Sequence, residues 1–253
     1  MVLLTEAWDP PLAPAAPATP KVVAFVAGKG GVGTTCAVAG AALTMVGLLP
    51  GQVAVADTRT GTPSVGRRLG GAAGPDAAAY AAGVAEPAEV AGVAVVDAAP
   101  WDTPLSRPTL ARLIADLRTD YWYTLLDVGH DAGHIGHGAL ARADRVVVVT
   151  TAAPDAVAAA EDTLDRVHKI DKDLADSVVV LVTGVGRLGR RADSTTRWRP
   201  DEQVVHVPWD PAVAADVTIR LDRLRKATRA AFLRLAAVLG DGVLDEGADR
   251  AAG

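Results

Sequence analysis

The chain has 253 residues, half of them hydrophobic, with a net charge of −5 and a single cysteine, Cys36. Its length suits one large domain with tails, and its acidic balance excludes a general nucleic-acid-coating surface while leaving room for a local basic patch. One cysteine excludes an internal disulfide and a cysteine-built metal cluster within the chain. No uninterrupted apolar run reaches the roughly 18 residues of a membrane span. The first twenty residues lack the basic start and apolar block of a secretory signal, so the expected location is cytoplasmic, with no membrane partner.

In chain order, residues 1–20 interleave Pro10, Pro11, Pro14, Pro17 and Pro20 with alanines, a composition that gives an extended tether. Leu3, Leu4 and Trp8 stand before all of these prolines, and a short docking peptide for a protein partner is one reading of them. A disordered terminus with a stray tryptophan is the plainer one. From Lys21 onward, apolar runs at 22–27, 53–56, 93–96, 124–126, 146–150, 178–182 and 204–207 read as strands covered on both faces. Helical stretches fall at 34–46, 109–117, 156–170 and 216–239. Alternation of this kind predicts a three-layer, doubly wound α/β domain with a predominantly parallel sheet over residues 21–239. Residues 70–87 are Ala/Gly-rich and give a weak signal. Residues 240–253, acidic and rich in Gly and Ala, read as a disordered tail.

Between the first strand and the first helix stands Gly28-Lys29-Gly30-Gly31-Val32-Gly33-Thr34-Thr35. Glycines at this junction let backbone N–H groups converge on phosphate oxygens, and the helix N-terminus adds its dipole. The usual pattern is G-x-x-x-x-G-K-S/T, and Thr34 stands where the lysine belongs. A unit charge about 4 Å from a phosphate is worth up to roughly 4 kcal/mol at an effective dielectric of 20, so weak nucleotide binding and slow or absent hydrolysis are expected. Thr35 falls where a hydroxyl would hold Mg²⁺.

Lys29 with Gly30, Gly31, Val32 and Gly33 resembles the deviant phosphate loop of the MinD/ParA ATPases, K-G-G-x-G-K-S/T. Four later blocks agree in order. The strand ending in Asp57 resembles the one that carries the family's first switch aspartate. Leu125-Leu126-Asp127 with Gly129 resembles the strand and aspartate that contact Mg²⁺. The stretch from Ala143 through Thr151 to Pro154-Asp155-Ala156 is similar to A-D-x-V-I/V-V-V-T-T-x-x-P, and Val207-Pro208-Trp209-Asp210 to Val213 is similar to the I/V-P-x-D-x-x-V block near the base-binding end. The resemblance covers about residues 21–239 and implies ATP and Mg²⁺ as cofactors, with Thr35, Asp57 and Asp127 around the metal. It also implies a homodimer in which Lys29 reaches the partner's nucleotide. Three positions depart from the pattern: Thr34 for lysine, Arg59 for the second acidic residue of D-x-D, and Thr183-Gly184 where a base-contacting asparagine is expected. Together they imply a degenerate member: a pseudo-ATPase or very weak ATPase acting as a dimerising positioning, assembly or partner-binding factor, with Asp57 the one candidate catalytic group.

Two alternatives stand beside this reading. One is a working partition or localisation ATPase in which Lys29 replaces the missing lysine. The other is a DNA-binding regulator using Arg187, Arg190, Arg191, Arg197 and Arg199, which crowd a Gly-containing loop with Asp193 as counter-charge. His130, His134 and His137 have a spacing that could ligate Zn²⁺, but the glycines at 129, 133, 136 and 138 favour a solvated loop. The basic C-terminal helix is expected to pack on the sheet through Leu221, Leu224, Ala231, Leu235 and Leu239.

Overall fold

Valine runs that are apolar on every side can only lie in the middle layer of a stack, and that is where the chain places them. The computed structural model describes residues 17–60, 64–72, 74–100, 103–185, 203–215 and 217–240. Strand β1 (Lys21–Ala27) leads through the glycine loop into helix α1 (Thr34–Leu48). There follow β2 (Val53–Asp57), the short helices α2 (Val65–Leu69) and α3 (Ala77–Ala81), and strands β3 (Ala88–Val90) and β4 (Val93–Val96). Helix α4 (Arg107–Asp120) precedes β5 (Tyr123–Gly129), α5 (His134–Leu140), β6 (Arg145–Thr151), α6 (Pro154–Ile170) and α7 (Lys172–Asp176). Strands β7 (Val179–Val185) and β8 (Gln203–Pro208), helix α8 (Pro211–Ala215) and helix α9 (Lys226–Leu239) complete the described chain.

The sheet runs β3-β4-β2-β5-β1-β6-β7-β8. Every pairing is parallel except the edge hairpin β3–β4. Side chains alternate across a strand, so Val23, Phe25 and Ala27 of β1 enter a core shared with α1 and α9, while Val22, Ala24 and Val26 enter a second core. That second core holds Leu110, Leu113 and Leu117 of α4 and Val157 and Ala160 of α6. The expected three-layer, doubly wound architecture is therefore present. Helix α1 is buried nearly all round, and its Gly40 is a contact point: a Cβ there would lie 2.3 Å from Cζ of Phe232.

Four features differ from the sequence reading. Residues 216–239 do not form one helix. The Ile219 N–H is used by the Arg68 carbonyl, and the Arg225 N–H by the Asp210 carboxylate at 2.8 Å, so a 3₁₀ turn (Leu221–Arg223) interrupts the path before α9 begins. Leu224, Ala231, Leu235 and Leu239 are nonetheless buried as expected. The weak 70–87 stretch contains α3, capped by the Asp76 carboxylate, which accepts from the N–H groups of Ala78 and Ala79. Strand β3 closes on β4 through Ala91 and Gly92, both at positive φ, the backbone of a tight hairpin without the Asn-Gly signature that would advertise it. Of the expected histidine loop, His130 stays in a loop but His134 and His137 lie on helix α5, organised by Asp131, which accepts from Gly133 and Gly136 at 2.7 and 2.8 Å. The Trp8 peptide, most of the Pro/Ala segment, the five-arginine patch and the tail beyond residue 240 lie outside the described residues. Among the described residues no helix is long and apolar enough to cross a membrane.

Candidate functional site

In an open α/β sheet, ligands gather beyond the carboxyl ends of the strands. Here the ends of β1, β2, β5, β6, β7 and β8 bring together most of the residues singled out by sequence. The loop from Gly28 to Gly33 turns with Gly31 at φ 82° and Gly33 at φ 93°, and Gly33 stands at the N-terminus of α1. Gly28 is pressed so close to α6 that a Cβ would fall 2.0 Å from the Ala159 carbonyl oxygen. Thr34 is buried, as is Val32. Lys29, the loop's own cation, is ion-paired with Asp155 at the start of α6, and its ammonium holds the Asp155 carboxyl below the ordinary carboxylate range. Both partners are substantially solvent-exposed.

One strand further, the register sets Asp57 of β2 directly beside Asp127 of β5. Both are fully buried. Arg59 folds back over them: its Nη2 lies 2.8 Å from Oδ2 of Asp57 and 3.1 Å from Oδ2 of Asp127. The Arg59 Nε and backbone N–H also donate to Oδ1 of Asp57, each at 3.1 Å, and Val65 N–H reaches Oδ2 at 3.3 Å. Burial pushes both carboxyls up, Asp127 to about 7, with the charge of Asp57 adding to the rise and Arg59 opposing it. The Thr35 hydroxyl and Gly129 N–H favour the Asp127 carboxylate from nearby without well-aligned hydrogen bonds. Gly129, at φ 64°, gives Arg59 its passage, since a Cβ there would lie 2.5 Å from Cδ of Arg59.

On the other side of the loop a largely apolar cavity of about 360 Å³ extends from Gly31, Val32 and Gly33 to Trp209 and Val213, with Thr183 and Phe232 in its walls. Thr183 is its latch to the loop. Its hydroxyl donates to the Val32 carbonyl at 2.6 Å and lies 3.1 Å from the Thr150 carbonyl. Asp210 is buried, and although burial works against ionisation, the Arg225 N–H and further donors hold its carboxyl below the ordinary range. The Arg225 guanidinium sits 5.7 Å from the Trp209 ring centroid, a cation–π contact. The Trp209 indole N–H is buried without an acceptor among the described residues. Cys36 also lines the cavity, and burial raises its thiol pKa, the opposite of what activates a cysteine.

The structure thus gathers Gly28, Lys29, Gly30, Gly31, Val32, Gly33, Thr34, Thr35, Asp57 and Asp127 at one end of the sheet. It does not bring the three histidines into a metal site: among the described residues no group of three His, Cys, Asp or Glu side chains could hold an ion. Sequence reasoning did not identify Asp155 as the partner of Lys29, nor Asp97, which is buried and accepts from Gly66 and Gly74 at 3.2 and 3.1 Å to anchor the segment after β2. Neither has a local signal, because each partner is distant in sequence.

No known family's sequence pattern matches the chain, and no curated protein matches it by sequence. Solved structures do. The septum site-determining protein MinD from Pyrococcus horikoshii, complexed with Mg-ADP, superposes with a TM-score of 0.72 at 17% identity, covering 92% of this chain and 99% of that one. MinD of Aquifex aeolicus in its MinC complex gives 0.72 at 16% identity, over 89% and 98%. A ParA family ATPase from Chlorobium tepidum gives 0.70 at 16% identity, over 86% and 99%. The chain has the P-loop fold of the MinD/ParA ATPases. That fold implies a nucleotide with Mg²⁺, and the two halves of the site fit them unequally. The glycine loop and cavity have the shape of a phosphate and nucleoside site. The carboxylates do not fit a metal, because Arg59 already lies against both.

Proposed function

We propose that this chain is a degenerate MinD/ParA-like protein with weak or absent ATP hydrolysis, acting as a dimerising positioning, assembly or partner-binding factor. The observation that carries this reading is the state of the loop's cations: Thr34 replaces the lysine that would grip the chain's own phosphate, and Lys29 is engaged by Asp155. In this reading residues 21–239 are the platform, residues 1–20 a tether presenting the Trp8 peptide to a protein partner, and residues 240–253 a tail. The protein works in the cytoplasm, as a homodimer, and its loop serves as architecture before catalysis.

Titration calorimetry with ATP and ADP, a turnover assay and sedimentation equilibrium test it together. The expected outcome is weak binding, no turnover at ordinary ATPase rates, and a dimer whose formation does not require hydrolysis. Thr34→Lys is expected to tighten phosphate binding by a hundredfold or more if the missing charge is the cause. Turnover by the unaltered chain that is lost in Lys29→Ala would instead establish the working-ATPase alternative. The DNA-binding alternative is tested by salt-dependent retention on DNA that disappears in Arg190→Ala/Arg191→Ala.

A further inference from the structure

We infer that Arg59 is a resident replacement for the divalent cation: its guanidinium occupies the position between Asp57 and Asp127, and the site takes no metal.

The geometry is specific. A Mg²⁺ ion needs its oxygen ligands at about 2.0–2.1 Å in a near-octahedral shell. One nitrogen, Nη2 of Arg59, lies 2.8 Å from Oδ2 of Asp57 and 3.1 Å from Oδ2 of Asp127, touching one oxygen of each carboxylate. An ion bound between those oxygens would overlap that nitrogen, so metal and guanidinium exclude one another. The arrangement is also built. The side chain is three-quarters buried. It is fixed by Nε and backbone N–H bonds to Asp57, and it passes Gly129 where no other residue would leave room. Two carboxylates buried side by side are both ionised only with a cation beside them, and in this chain that cation is covalently attached. The inference concerns the metal alone and does not depend on whether nucleotide binds or is hydrolysed.

The test is Mn²⁺ binding to the full chain without nucleotide, read as loss of the free-ion electron paramagnetic resonance signal, beside thermal melts with millimolar Mg²⁺ or with chelator. The unaltered protein is expected to leave the Mn²⁺ signal intact and to melt at the same temperature in both buffers. Arg59→Ala and the more conservative Arg59→Gln are expected to melt lower, to gain a Mn²⁺ site at least roughly tenfold tighter than any in the parent, and to recover thermal stability with Mg²⁺. Arg59→Ala/Asp127→Asn is expected to lose that site again. A stoichiometric Mn²⁺ site in the unaltered chain, abolished by Asp127→Asn, would overturn the inference even if both Arg59 variants failed to fold. So would folded Arg59 variants that gain no Mn²⁺ binding. ATP turnover that persists in chelator would refute the proposed loss of activity and leave this inference standing.

Discussion

The two flanks of the glycine loop have met the problem of a buried ligand site in opposite ways. On the β2–β5 flank charges are set against one another: Asp57 and Asp127 share Arg59, although neither carboxylate oxygen of Asp127 has an aligned hydrogen bond among the described residues. On the β7–β8 flank the walls are mostly apolar and stay apart, leaving about 360 Å³ between Trp209, Thr183 and Phe232. The contrast follows from chemistry. Buried ionised carboxylates cost several kcal/mol each unless a counter-charge or a proton neutralises them, whereas a cavity with an apolar lining forfeits only dispersion contacts. An apolar site can stand open at modest cost, whereas a buried pair of carboxylates needs a cation or a proton.

Phe232→Ala attacks the open flank and should have the largest effect, about 3–5 kcal/mol of lost stability, read as a fall in the thermal midpoint of roughly 10 °C. Phe232 is 2% exposed and fills the space that Gly40 leaves. Arg59→Ala attacks the sealed flank. It should cost about 3 kcal/mol, the low end for a buried pair because a quarter of the arginine is exposed. If it costs nothing, the sealed flank is not held by charge and the contrast fails. Thr183→Val cuts the latch between the flanks, leaving the Val32 carbonyl short of a donor at a cost of about 1 kcal/mol. Faster amide exchange in the loop would be its signature. A pH series is the finer probe. The Asp127 carboxyl titrates near 7 in the folded chain and about 3.9 when unfolded. Its contribution is therefore fully present below the unfolded value and is lost as pH rises toward 7. Melts between roughly pH 5 and pH 8 should fall with pH in the parent and flatten in Asp127→Asn. Lys29→Ala, removing an exposed pair, should leave the melting temperature unchanged.

Much of this was readable from the residues alone. Short apolar runs, most of them valine-rich, located seven of the eight strands, since burial on both faces leaves no other use for them. The glycine loop and the two aspartates at strand ends marked the candidate site. Hidden from sequence were the contacts that decide its chemistry. Arg59 is legible as a cation in an acidic position, but its contact with Asp127 depends on β2 and β5 being neighbours in register. The Lys29–Asp155 pair likewise spans two distant loops. Strand β3 escaped because three residues carry no periodicity, and α5 because Gly133, Gly136 and Gly138 argue for a loop until Asp131 supplies the missing acceptors.

The pairing of Arg59 with two carboxylates also bears on reversibility. A single substitution at position 59 clears the space between the carboxylates only by leaving them without their cation, which lowers stability. The phosphate grip would still be missing at Thr34, with no stronger ligand binding to offset the loss. A site that holds both metal and phosphate would therefore need at least two changes, the first of them unfavourable alone. In the reading proposed above, a guanidinium set between Asp57 and Asp127 works as a ratchet against metal binding.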